Sequence, residues 1–154
     1  MKMAPIFLVL ILSVSCSQKA PDGKVKENGV PIVGTWKLIT GTTIEKGDTI
    51  VTNYTNNLSF IKIINDTHFA FLKHDLAKGK DSAAAFASGG GSYSLGNNQY
   101  TEHLEYCSER EWEGNDFTFT VKVENDTLVQ SGIEKVENAG VDRLNIEKYV
   151  RVKK

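Results

Sequence analysis

From Val33 onward, apolar and polar residues alternate in short runs that end in Asn, Asp or Gly. A period of two puts successive side chains on opposite faces, so each run reads as a half-buried β-strand. Residues 33–40, 58–64, 67–73, 92–95, 99–106, 117–124, 127–133 and 144–152 fit the pattern, with a weaker run at 49–54. No stretch carries sustained helical periodicity. Residues 75–87 contain helix formers, but Gly79 interrupts them and Gly89-Gly90-Gly91 follow, so they read as a mobile loop with one helical turn at most.

The breaks between runs are turn signals. Asn65-Asp66 and Asn125-Asp126 each separate two runs and are each followed by Thr, and Gly96-Asn97 separates a third pair. Asn and Asp tolerate the left-handed backbone that tight hairpins need. Consecutive strands are therefore joined up-and-down. About eight or nine such strands in one domain predict an all-β fold, a small closed antiparallel barrel with no exposed edge.

Turn positions set which residues share a face. Phe117, Phe119, Val121, Val123 and Leu128 share one with Gln130, opposite Thr118, Thr120, Lys122 and Glu124. Tyr93, Leu95, Tyr100, Leu104 and Tyr106 share one with Glu102. Phe60, Phe69 and Phe71 share theirs with Lys62. In the last strand Leu144, Ile146, Val150 and Val152 alternate as an inward face, which places Lys148 inside and Arg151 outside.

Composition narrows the function. The 154 residues fit one domain, and 40% hydrophobic content supports an ordinary core. A net charge of −1 gives no reason to expect nucleic acid or a polybasic membrane contact. The apolar run from Ala4 to Leu12 is too short to span a bilayer, which takes roughly 20 residues, and has signal-peptide length.

Leu12-Ser13-Val14-Ser15 before Cys16 resembles the lipobox of bacterial lipoproteins, although Leu is commoner where Ser13 stands. The resemblance implies cleavage before Cys16 and a lipid on its sulfur, anchoring the protein in the cell envelope of a Gram-negative bacterium. The alternative is an ordinary secretory signal with a coincidental Cys. The expected organisation is a signal peptide over 1–15, a lipidated Cys16 and flexible tether over 16–31, and the barrel over 32–154. With Cys16 acylated, the second cysteine, Cys107, has no partner in the chain. It is then a small apolar residue or a reactive thiol.

Gly34-Thr35-Trp36 is similar to the Gly-x-Trp signature of lipocalins, whose Trp plugs the closed end of the barrel. Asp66-Thr67-His68-Phe69, the run from Gly89 to Leu95, Tyr100-Thr101-Glu102 and Gln130-Ser131-Gly132 extend the likeness. From about Ile32 to Val152 the chain resembles a family of lipocalin-like (calycin-type) domains of unassigned function in exported Gram-negative lipoproteins. That resemblance implies a calycin-type barrel and carries no reaction or ligand. Many lipocalins stack a late Arg on the early Trp, and Arg151 and Arg143 are the candidates. With Arg151 expected outside, either the Arg sits at the barrel end or Lys148 takes part of its role.

The candidate pocket comprises Trp36, Tyr93, Tyr100, Glu102, Tyr106 and Gln130. A buried carboxylate is costly unless paired. Glu102 and Gln130 therefore either orient a ligand between tyrosine walls or form a structural cluster, with Glu102 on Lys148 or on tyrosine hydroxyls. His68, His74 and His103 lack ligand spacing, so no metal or cofactor is expected, and His68 reads as a hydrogen-bonding residue of its turn. The acidic stretch 102–116 reads as a solvated rim, within which Trp112 gates the barrel mouth, touches a partner or folds back onto the barrel end. The chain has no Gly-x-Ser-x-Gly, His-Glu-x-x-His or Cys-x-x-Cys motif, and the run Gly89-Gly90-Gly91 lacks a phosphate cradle's Gly-Lys-Ser/Thr ending. No catalytic residues are assigned.

The expected function is a membrane-anchored binding protein that holds a small, partly apolar ligand in the cell envelope. The alternative is a solid barrel whose loops contact another envelope protein. An enzyme, for instance one pairing Glu102 with His68, is the third reading.

Overall fold

Antiparallel pairing accounts for every strand of the computed structural model, which describes residues 29–153. The signal peptide, Cys16 and residues 17–28 of the expected tether lie outside the described residues. The strands are β1 (Gly34–Glu45), β2 (Asp48–Asn53), β3 (Leu58–Ile64), β4 (His68–Asp75), β5 (Phe86–Gly96), β6 (Gln99–His103), β7 (Tyr106–Cys107), β8 (Asp116–Glu124), β9 (Thr127–Val136) and β10 (Val141–Arg151). Among the described residues the helical content is two single 3-10 turns, at Arg110–Trp112 and Glu137–Ala139, and no helix is long and apolar enough to cross a membrane.

The hydrogen-bonded order is β10-β9-β8-β6-β5-β4-β3-β1, and β10 pairs back onto β1. Closure makes an up-and-down barrel of eight strands, with β2 and β7 added. β3 pairs with the start of β1, from Gly34 to Lys37, and β2 with its far half, from Thr40 to Glu45. Both run antiparallel to β1, so they are two halves of one interrupted strand, split by residues 54–57.

The hairpins follow from left-handed residues. Asn125 and Asp126 have φ of 46° and 60° and connect the pair Glu124↔Thr127. Asn97 and Asn98 do the same between Gly96 and Gln99, one residue later than the sequence pattern places the turn. Lys46-Gly47 closes a β1–β2 hairpin that the pattern, ending its first run at residue 40, does not contain. Asn65 works differently: its side-chain carbonyl accepts the N–H groups of Thr67 and His68 at 2.9 and 2.7 Å.

Two one-residue insertions decide the faces. In β1 the register on β10 shifts between Leu38 and Thr40, so Trp36 and Leu38 point inward, and then Gly41 and Thr43 do. Between β6 and β7 one residue is added relative to β5: Tyr93 opposes Glu102, yet Gly90 opposes Tyr106. The parity flips there. Tyr106, expected inside, is 68% exposed, and Cys107 takes the inward position.

The last strand is a second correction. Its inward face is Arg143, Asn145, Glu147, Tyr149 and Arg151, and Lys148 is exposed. Leu144, Ile146, Val150 and Val152 point outward. Register against two fixed neighbours causes this: Tyr149 pairs with Leu38 and with Leu128, all fully buried. A slip by one residue would expose Tyr149 and remove Arg151 from Trp36.

One half of the barrel is solid. Trp36, Leu38, Ile64, Phe69, Tyr100, Phe119, Val121, Leu128 and Tyr149 fill it. Burying each aliphatic or Phe side chain contributes roughly 1.5–3 kcal/mol. Trp36 donates its indole N–H to the Ile32 carbonyl at 2.6 Å. The Arg151 guanidinium lies 4.0 Å from the Trp36 ring and donates to the carbonyls of Val33 and Pro31, both at 2.8 Å. Gly34, at φ 147°, leaves that guanidinium its space, since a Cβ there would strike it.

Candidate functional site

The other half of the barrel is hollow. A cavity of about 420 Å³ opens at the end away from Trp36. Its floor is the middle layer of inward side chains, and its wall rises along β1, β3, β9 and β10. Trp112, on the 3-10 turn after β7, folds back over the mouth, with its ring 5.7 Å from Phe117 and 5.5 Å from the Arg143 guanidinium.

Register builds the floor. Gln130 opposes Glu147 across β9 and β10, and Glu102 comes from β6 on the far side. Lys62, whose inward position was visible in the alternation of β3, projects between them. Its ammonium donates to Glu102 Oε1 at 2.6 Å and to Gln130 Oε1 at 3.1 Å. Four rings, those of Phe69, Tyr100, Phe119 and Tyr149, stand 5.5–6.0 Å from the Lys62 nitrogen. Glu102 thus pairs with Lys62 and not with Lys148. Gln130 passes the chain on, donating to Glu147 Oε2 at 2.8 Å, and Tyr149 donates to the same oxygen at 2.7 Å.

A second polar group lies nearer the mouth. Arg143 donates through Nε and Nη2 to Glu134 Oε2 at 2.8 and 2.7 Å, and Asn145 donates to Glu134 Oε1 at 2.7 Å. Gly132, between Gln130 and Glu134 on β9, carries no side chain into the barrel, and a Cβ there would meet the Thr118 carbonyl.

Low dielectric sets the electrostatics. Burial pushes the Glu102 carboxyl above the ordinary carboxylate value, against the pull of Lys62. Burial and the charge of Glu147 push Glu134 up, against Arg143. Burial, then Glu147, raises the phenols of Tyr54 and Tyr149. The Tyr100 hydroxyl is buried without a hydrogen-bond partner among the described residues, and burial and Glu102 push it far up.

The sequence-derived candidates divide by place. Glu102 and Gln130 line the cavity. Trp36 and Tyr100 are packed in the solid half beneath it. Tyr93 joins them there, 5.2 Å from Tyr100, with its hydroxyl on the Asn65 carbonyl at 2.7 Å. Tyr106 is on the outer surface. Asn145 and Glu147 were missed, and Arg143 was weighed only as a partner for Trp36, because the outward apolar stripe of β10 masked its inward polar one. The alternation Leu128, Gln130, Gly132, Glu134, Val136, carried past residue 133, would have found Glu134.

The remaining polar candidates have local partners. His68 bonds Thr67, His74 bonds the Asp75 carbonyl and His103 bonds Asp116, each at 2.8 Å. His68 is exposed and Glu102 is buried on Lys62, so they do not form an acid–base pair. Among the described residues no group of three His, Cys, Asp or Glu side chains is placed to hold a metal. Burial pushes the Cys107 thiol up, which leaves little thiolate at neutral pH. The three glycines lie within β5, where their missing side chains admit Phe71 and the carbonyls of Phe69 and His103. No family model matches the chain, and no curated protein matches it.

Proposed function

We propose that this protein is a binding module that takes a small, partly apolar molecule into the open half of its barrel. The observation that carries the reading is the cavity itself. Its volume of about 420 Å³ falls in the range of small-molecule sites, roughly 300–1,000 Å³. Such sites combine apolar walls with a few fixed polar groups. Here Phe60, Phe71, Phe117 and Trp112 supply walls, and the hydrogen-bonded Lys62-Gln130-Glu147 chain supplies the fixed polar floor. The solid half gives that floor a rigid base. The resemblance of the Gly34-Thr35-Trp36 region to lipocalins supports the same reading. A solid barrel acting only through its loops is less consistent with a void of this size.

The lipobox-like segment ending in Cys16 supports a lipid anchor that holds the module in the cell envelope. A Cys16→Ser variant should leave the membrane fraction, and retention there would remove the anchor from the proposal.

N-phenyl-1-naphthylamine, a neutral dye that brightens in apolar cavities, tests the pocket. Saturable brightening is expected with the wild-type protein. Thr43→Phe, which plugs the cavity from β1, should abolish it. An unresponsive wild type, or equal brightening of the plugged variant, would count decisively against the pocket.

A further inference from the structure

The cavity holds an uncompensated carboxylate inside an aromatic enclosure. Three carboxylates, Glu102, Glu134 and Glu147, face the interior with two cations. Lys62 is committed to Glu102, and Arg143 to Glu134. Glu147 forms no ion pair among the described residues. Among the described residues both of its hydrogen bonds arrive at Oε2, from Gln130 and Tyr149, and none arrives at Oε1. Glu147 lines the cavity and is only partly buried, so a ligand can reach it. At the rim the lining adds one residue of each sign, Lys73 and Glu109, which form no ion pair with each other among the described residues, so the lining as a whole carries one carboxylate more than it has cations.

Aromatic rings line the same cavity as that carboxylate. Glu147 opposes Gly41 across β1 and β10. The Tyr54 ring lies against Gly41, 3.1 Å from where a Cβ would stand. Phe60 meets Tyr54 edge-on at 5.8 Å and Tyr149 at 6.4 Å, and stacks on Phe71 at 5.7 Å. A ring face attracts a cation, most strongly where water is excluded, and repels an anion. Gln130 and Tyr149 hold the carboxylate through Oε2, and no cation of the described residues is paired with it.

Resting on the binding reading above, we infer that the ligand is an organic cation, an amine whose ammonium group meets Glu147 Oε1 and whose apolar body lies against Tyr54 and Phe60. A neutral ligand would leave the extra negative charge uncompensated, and an anionic one would add to it. Glycine at position 41 is then part of the site: it lets Tyr54 close over the ammonium position.

Three probes with one skeleton test this: 3-phenylpropylamine, 3-phenylpropan-1-ol and 3-phenylpropanoate, titrated calorimetrically at neutral pH and low salt. The amine should bind about tenfold or more tighter than the alcohol, and the carboxylate weakest. Glu147→Gln should remove most of the amine's advantage over the alcohol. Tyr54→Leu, at a partly exposed position, gives a second variant whose amine affinity should fall more than its alcohol affinity. Alcohol or carboxylate binding as tight as the amine's would overturn the cation assignment and leave the pocket standing. So would dye binding without amine binding. Failure of the dye and all three probes would overturn both. An amine preference kept in full by Glu147→Gln would overturn the role of Glu147.

Discussion

Lys62 Nζ and Glu102 Oε1 meet at 2.6 Å in the middle of the barrel, each less than a tenth exposed, although they are 40 positions apart in sequence. The pair crosses from β3 to β6, two strands that are not paired in the sheet. It therefore marks the layer where the solid half ends and the cavity begins.

Removing one partner should cost far more than removing both. Lys62→Met alone leaves Glu102 buried beside aromatic rings and is expected to lower stability by about 3–5 kcal/mol. Lys62→Met with Glu102→Leu should restore wild-type stability or exceed it. Urea unfolding of the two single variants and the double closes the cycle. A double variant as unstable as the worse single would show that the pair cannot be exchanged for apolar packing.

The buried carboxylates give stability a definite pH slope. Glu102 and Glu134 are held above the ordinary carboxylate value by burial. Between that value and their raised ones, the folded protein binds protons that the unfolded chain has released. Their contribution therefore falls as pH rises through this window, and is recovered as pH drops. Glu134→Gln cannot titrate, so its stability curve should be flatter than wild type there. Urea midpoints across the mildly acidic range measure the difference, and parallel curves would contradict the assignment to Glu134.

Arg151 ties the end of the chain to Trp36 through a stacked guanidinium and two carbonyl hydrogen bonds. Arg151→Ala should cost about 1–3 kcal/mol. Arg151→Lys should recover only part of it, because an ammonium cannot lie flat on the ring while donating to both carbonyls. Chemical unfolding followed by near-ultraviolet circular dichroism, which reports the indole environment, distinguishes the three proteins. Equal stability of all three would remove the clamp.

Two glycines of the same strand should respond oppositely. A Cβ at Gly91 would strike the His103 carbonyl, and one at Gly96 would meet nothing within 4 Å. Gly91→Ala is expected to lose about 1–3 kcal/mol or more from forced separation of β5 from the bulge after β6. Gly96→Ala should stay within about 0.5 kcal/mol of wild type. Thermal unfolding of both variants is sufficient, and a tolerated Gly91→Ala would mean that the bulge yields easily.

Much of this was legible in the chain. The period-two runs and the Asn-rich turns locate the barrel strands, because alternation and left-handed residues act within a few positions. The face of β8 and the inward Lys62, Glu102 and Gln130 follow from the same local rules. Tyr106 shows where those rules stop. One inserted residue between β6 and β7 reverses every later side chain of that run, and nothing in the residues 103–105 themselves announces it.

The last strand shows the same limit at larger scale. Its apolar stripe, Leu144 to Val152, points outward, and the polar stripe from Arg143 to Arg151 lines the interior. By itself the sequence determined an all-β barrel and several of its turns, since these depend on short-range backbone preferences and periodicity, and its resemblance to lipocalins implied the Trp-plugged end. Only the tertiary structure decided that half the barrel is hollow, that Glu147 faces the cavity and that Lys62 is the partner of Glu102. Those depend on barrel closure, where β10 must match both β1 and β9, and that register outweighs the strand's own pattern.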